Sequence, residues 1–172
     1  MRIYLVGYMG SGKSFLGNRL AELLGYSFVD TDFLVESEQQ LTVSEIFEQS
    51  GEAKFRLLEK AVLERTFSME AVVVATGGGL ACQKDVMENM NRMGITVYLK
   101  VFPTTVVARV SAQLGKRPLL KGIAPLNLTG HISNHLAERS ICYEKSQLTV
   151  VADVLSAEQL LVKILDFSGQ SR

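Results

Sequence analysis

The sequence has no tryptophan, two histidines, two cysteines, three prolines and no net charge. Each shortage removes a class of protein. Cys82 and Cys142 stand far apart, without pairing or metal-type spacing, which argues against a structural disulfide and leaves two thiols expected to be buried as small hydrophobes in a reducing compartment. His131 and His135 are one helical turn apart, but no acid or cysteine accompanies them at ligand spacing, so they do not read as a metal site. Eighteen basic residues balance eighteen acidic ones, so no overall field draws the protein to nucleic acid or an anionic membrane. Neither is expected as a partner, and any anion has to be captured locally. No apolar run nears the roughly 20 residues of a membrane span, and the opening run from Ile3 to Val6 is too short for a signal-peptide core. The expectation is a cytoplasmic protein.

What is present is enough for one domain with a real core: 172 residues, 47% of them apolar. Ile3 to Val6 reads as a buried strand, and the stretch from Ser11 to Leu24 places Phe15, Leu16, Leu20, Leu23 and Leu24 at helical spacing before Gly25. Tyr26 to Val29 is a second short strand. Thr42-Val43-Ser44-Glu45 is a capping box opening a helix that Gly51 interrupts, and a further helix runs to about Phe67. Ala71 to Ala75 has the unbroken apolar character of a central parallel strand. Met87, Met90 and Met93 form a helical stripe of core packing, Thr96 to Val101 a strand, and Pro103 suits a first helical turn. Gly115 to Gly130 lacks a period and reads as a mobile loop, followed by helix to Lys145, a strand from Leu148 to Ala152, and a last helix capped by Ser156 and Gln159. Five strands interleaved with helices predict an α/β fold in three layers, α/β/α, with a five-stranded parallel sheet and the functional edge at the strands' C-terminal ends.

The strongest chemical signal is Gly7-Tyr8-Met9-Gly10-Ser11-Gly12-Lys13-Ser14. Two glycines bracket four residues, then Lys and Ser follow, between a strand and a helix. Backbone N–H groups of such a loop converge on a β-phosphate, the lysine reaches the β- and γ-phosphates, and the serine hydroxyl is placed for Mg²⁺. Asp30-Thr31-Asp32 leaves the second strand. In an extended chain residues two apart face the same way, so both carboxylates are expected in the cleft, one serving the metal and the other a hydroxyl of the phosphate acceptor. Thr76-Gly77-Gly78-Gly79 ends the central strand, where three glycines point to close backbone approach to a bound molecule. Arg56, among Glu52, Glu59 and Lys60, reads by itself as a surface residue, and Arg139, beside Glu138 with Glu144 beyond, as a surface ion pair. Arg117, before Pro118, is held extended within the loop, from which it could close onto phosphate.

Taken in order, GYMGSGKS, DTD, FR, GGG, RPLL and ERSICY resemble the shikimate kinases, and the likeness spans the chain from the first strand to the last helix. The loop alone is shared by very many nucleotide-binding proteins; the other five segments in this order are far more selective. The resemblance implies a single P-loop domain over residues 1–172 with a nucleoside-monophosphate-kinase-like fold, a substrate-binding part at about 31–62 and a mobile lid at about 112–128. It implies transfer of the ATP γ-phosphoryl group to the 3-hydroxyl of shikimate by a monomer, with Mg²⁺ as cofactor. Gly10, Ser11, Gly12, Lys13, Ser14 and Phe15 would then hold ATP, and Ser14 with Asp30 the metal. Asp32 would bind the ring hydroxyls and act as base. Arg56, Arg139 and the backbone at Gly78 and Gly79 would hold shikimate, while Arg117 would join Lys13 and Asp32 as a catalytic group on the nucleotide. Phe47 and Phe55 would wall the pocket. Under this reading the two arginines leave the surface, since a guanidinium fork suits a planar carboxylate.

One departure stands out. Many relatives place an arginine after the last strand to stack on adenine, and Val150 to Ala157 contains none, so the base is left unspecified. A kinase of the same fold acting on another small metabolite, such as gluconate, remains the nearest rival. A nucleotide switch is disfavoured by the lack of an Asn-Lys-x-Asp signature and of Asp-x-x-Gly after the central strand.

Overall fold

A computed structural model describes residues 1–111, 120 and 122–170 of the chain. Five strands, β1 (Arg2–Val6), β2 (Ser27–Asp30), β3 (Val72–Ala75), β4 (Ile95–Lys100) and β5 (Leu148–Val151), form one parallel sheet in the order β2-β3-β1-β4-β5. Apolar runs without alternation belong in the middle of such a sheet, covered on both faces. β3 is buried at every position, as is β1 beyond its first residue.

Among the described residues seven α-helices lie between the strands or after the last one: α1 (Lys13–Leu24), α2 (Thr31–Gln39), α3 (Val43–Thr66), α4 (Val86–Met93), α5 (Pro103–Val110), α6 (Pro125–Tyr143) and α7 (Ala157–Gln170). None of them, among the described residues, is long and apolar enough to cross a membrane. α1 lies unusually close to the sheet because Gly17 faces it. A methyl group there would stand 2.8 Å from the Phe28 ring and 3.0 Å from Leu5 Cδ1. The main core is built around β1, β3 and β4, and a second, smaller core of Val35, Ile46, Phe55 and Val62 lies between α2 and α3.

The capping signals hold where they are local. Thr42 Oγ1 accepts from Glu45 N at 3.2 Å while the Glu45 carboxylate accepts from Thr42 N at 2.7 Å, and Gly51, with φ 78°, kinks α3 where an interruption is expected. Ser156 and Gln159 cap α7 reciprocally.

Three expectations need correction. Asp30-Thr31-Asp32 is not extended: Asp30 ends β2 and caps α2, accepting from Asp32 N at 3.1 Å and Phe33 N at 3.3 Å, so Asp32 sits in a first helical turn. The capping carboxylate satisfies N–H groups that the helix leaves open, and this wins over continuing the strand. The helix expected to follow the loop at Gly130 starts earlier, at Pro125, a residue pre-set for a first helical turn; of the expected lid at about 112–128, residues 112–119 and 121 lie outside those described. The cysteines are free as expected but not buried: Cys82 is exposed and Cys142 half-buried.

Because Gly17 sets the distance from α1 to the sheet, Gly17→Val should lower stability by roughly 1–3 kcal/mol through overpacking. Urea unfolding that gives an unchanged midpoint would contradict that packing.

Candidate active site

Parallel register fixes where the site lies. Ala75 pairs with Leu5 on one side and Asp30 on the other. The turns after β1, β2 and β3 therefore leave the sheet side by side. Thr31 Oγ1 accepts from Gly77 N at 2.8 Å and Leu5 O accepts from Thr76 Oγ1 at 3.0 Å, which ties the three turns together.

The turn after β1 wraps back on itself, with Gly7, Gly10 and Gly12 at φ 147°, 75° and 96°. Only glycine adopts such angles cheaply. The result brings Lys13 Nζ within 2.8 Å of Gly7 O and 2.9 Å of Tyr8 O, at the start of α1. Beside it, Ser14 Oγ donates to Asp30 Oδ2 at 2.5 Å. A hydroxyl and a carboxylate oxygen in contact are hard donors suited to Mg²⁺, which takes few protein ligands and completes its shell with phosphate and water. Asp30 thus has two tasks, one oxygen capping α2 and the other turned to Ser14. Gly10, Gly12, Phe15 and Arg109 complete the walls of a cleft of about 360 Å³ that holds Lys13, Ser14 and Asp30.

A second pocket adjoins the first. It is walled by Val43, Phe47 and Phe55 and carries Arg56, Glu59 and Arg139. Met9, Asp32 and Gly78 line both cavities. Asp32 therefore stands at their boundary, reached from the phosphate side and from the arginine side.

The glycine turn makes this arrangement sterically possible. The Arg56 guanidinium lies flat against Gly79, where a Cβ would be 2.6 Å from its carbon and both terminal nitrogens. Gly77 is still tighter: a Cβ would stand 1.9 Å from Glu59 Oε1 and 2.4 Å from Asp32 Oδ1. Arg56 donates to Glu59 Oε2 at 2.6 Å and to Glu52 Oε1 at 2.7 Å, and its cation sits 5.4 Å from the centre of the Phe55 ring. So Arg56, which by itself reads as a surface residue, is ion-paired and faces a pocket and not the solvent. Arg139 also lines the pocket, half-buried, and among the described residues no carboxylate pairs with it. The expected partner Glu144 binds Lys100 instead, at 3.2 Å.

Glu59 is a pocket residue that the sequence does not single out. It is fully buried, and its only signal is its place three residues after Arg56. Burial, then the charge of Asp32, pushes its carboxyl up to about 7 against the pull of Arg56. A hydrogen bond with the neighbouring Asp32 carboxyl adds to the rise. Arg109 is the other residue missed. At the end of α5 it donates to Gly10 O at 2.8 Å and to Asp153 O at 3.4 Å, bridging the phosphate loop to the segment after β5. It also borders a further cavity lined by Phe15, Val154 and Leu155. Its position as the basic residue in the last turn of α5 was the available clue. Arg117 lies outside the described residues.

Sequence and structure comparisons agree. The family model for shikimate kinase matches residues 9–168. The shikimate kinase of Parabacteroides distasonis is 40% identical over 157 residues, covering 91% of each chain. The crystal structure of shikimate kinase from Bacteroides thetaiotaomicron superposes with a TM-score of 0.86 at 37% identity, covering 99% of this chain and 98% of that one. Shikimate kinase from Acinetobacter baumannii in complex with shikimate gives a TM-score of 0.89 at 36% identity, covering 99% of this chain and 94% of that one.

The buried acid pair makes stability depend on pH with a definite sign. Glu59 binds its proton up to about 7 when folded, against an ordinary value of 4.5. Unfolding therefore releases a proton between those values. Stability should fall as pH rises from about 4.5 through about 7 and level off above. The loss should reach at most about 3 kcal/mol, and Glu59→Gln should abolish it. Urea midpoints for both proteins at about pH 5 and about pH 8 measure this; parallel profiles would contradict it.

Proposed function

The chain belongs to the shikimate kinase family, and from that premise we propose how its residues move the γ-phosphoryl group of ATP to the 3-hydroxyl of shikimate, giving shikimate 3-phosphate and ADP. The observation that carries the assignment is the double exposure of Asp32, between a glycine-lysine phosphate cleft and a pocket holding two arginines.

The loop amides of Gly10, Ser11 and Gly12 and the start of α1 take the phosphates, with Lys13 on the β- and γ-groups. Phe15 and Arg109 flank the nucleobase; their common cavity with Val154 and Leu155 supports this. A guanidinium stacks on any aromatic base, so the cation missing after β5 is supplied from α5. Ser14 and Asp30 are the residues that would hold Mg²⁺, which supplies neutralisation of phosphate charge.

On the other side, Arg56 and Arg139 hold the shikimate carboxylate as charge-assisted donors, and the backbone at Gly78 and Gly79 lines the ring. This anchors the acceptor with a hydroxyl toward Asp32, which accepts its proton as the oxygen attacks the γ-phosphorus. Glu59 braces Arg56, and its raised carboxyl is the member of the acid pair that takes up a proton first, leaving Asp32 to act as base. Phosphoryl transfer needs little covalent help, so alignment and charge neutralisation provide most of the rate. Arg117 is assigned to the charge on the transferring group. All of these residues lie on one chain, so the reading takes the enzyme as a monomer, working in the cytoplasm.

Three variants separate the roles. Asp32→Asn should cut turnover at least ~100-fold by removing the proton acceptor. Arg139→Ala should raise the KM for shikimate at least ~10-fold, with a smaller change in the KM for ATP. Arg109→Ala should do the reverse. Coupled ADP release with shikimate and with gluconate is the assay, and equal or greater turnover with gluconate would overturn the assignment.

A further inference from the structure

α6 presents a stripe of residues one helical turn apart, His131, His135, Arg139 and Tyr143, toward the sheet edge. Only Arg139 has a task so far. Tyr143 donates to Gly78 O at 2.5 Å, fixing the glycine turn. His135 shares a 2.9 Å hydrogen bond between its Nδ1 and the hydroxyl of Tyr8, with the two rings edge to face at 5.4 Å. His131 stacks behind it at 5.9 Å. Tyr8 is inside the phosphate loop, fully buried, and its carbonyl receives Lys13. The next residue, Met9, walls both cavities, and its amide nitrogen is 3.4 Å from where a Gly78 side chain would begin, with Arg139 Nη1 3.7 Å from the same point.

The loop assigned to the nucleotide and the helix assigned to the acceptor are thus joined through a half-buried polar contact. Resting on the assignment above, we propose that His135 is a positioning residue: its bond to Tyr8 ties the phosphate loop to α6, so that nucleotide binding sets Arg139 for the acceptor's carboxylate and the acceptor in turn sets the loop. Such coupling is reciprocal by linkage. The surroundings favour an uncharged His135. Burial lowers its proton affinity, followed by Arg139 and His131, while Glu138 and, from α3, Glu52 act the other way. Tyr8, pushed up to about 12 by burial, stays a neutral phenol. The contact is a neutral hydrogen bond, strong in its geometry and unmoved by salt.

The test is calorimetry of shikimate binding to the full chain, with and without magnesium and a non-hydrolysable ATP analogue. In the wild-type protein the two affinities should differ at least ~5-fold. His135→Leu and Tyr8→Phe should each bring the ratio to within about twofold of one, and the double variant should go no further, because both cut the same bond. His135→Asn, which returns a donor and acceptor near the Nδ1 position, should recover most of the ratio. Tyr8→Phe removes a single oxygen and keeps the ring in place, so it tests the contact even if the leucine variant fails to fold. A wild-type ratio of one, an unchanged ratio in Tyr8→Phe, multiplying effects in the double variant or no recovery with asparagine would each overturn the proposal. Absence of shikimate binding to the wild type would instead bring down the assigned function itself.

Discussion

Parallel pairing holds Leu5, Ala75 and Asp30 at one height, and from that height three turns of very different chemistry emerge together. One is folded by glycines at positive φ around a lysine, one begins a helix with a carboxylate, and one is bare of side chains. A shift of one residue in any of the three strands would turn these groups away from each other, because strand side chains alternate between faces. The buried apolar runs of β1 and β3 prevent that shift, so the chemistry is anchored in the hydrophobic register.

Given that anchor, the turn after β3 works by what it lacks. Glu59 and Asp32 approach through the volume a side chain at residue 77 would fill, and Arg56 rests where a side chain at residue 79 would be. Three ionisable groups can then pack around bare backbone with little water between them. Arg56 is paired with Glu52 and Glu59, and burial beside Asp32 raises the Glu59 carboxyl so that the two neighbouring acids are not both ionised below about 7. A buried arginine without such partners would carry a large desolvation cost, and two ionised carboxylates at this distance would repel. In the proposed assignment the acceptor's carboxylate enters a site already poised for negative charge, with Arg139 as the guanidinium that has no carboxylate of its own among the described residues.

Much of this was legible because much of it is local. The phosphate loop, the alternation of strands and helices, the Thr42–Glu45 box and the break at Gly51 all depend on neighbouring residues, and each appears as the sequence implies. Asp30 shows where local reading fails. The same residue can prolong a strand or cap a helix, and only the position of Ser14, sixteen residues earlier, shows why its other oxygen matters. Arg56 and Arg139 look like surface residues on their own helices; the kink in α3 and the glycine turn decide that they meet across a pocket. Glu59 was hidden for the same reason, since nothing in one helix reveals that a distant glycine leaves room for it. Arg109 was missed because α5 brings it to the phosphate loop and to the segment after β5, a meeting that no stretch of neighbouring residues reveals.

The boundary between the two cavities has a consequence for specificity. Met9, Asp32 and Gly78 belong to both, so in the proposed assignment each ligand touches residues that the other uses. A phosphate acceptor smaller than the pocket, water above all, would reach Asp32 without engaging Arg56 or Arg139, and would not set the wall they share with the loop. Binding energy from the remote carboxylate is then available to align the reacting hydroxyl, which is how contacts far from the transferred group come to affect turnover as well as affinity. In the proposed assignment, discrimination against hydrolysis comes from one rigid molecule spanning the distance between Asp32 and the arginines, Arg56 on α3 and Arg139 on α6.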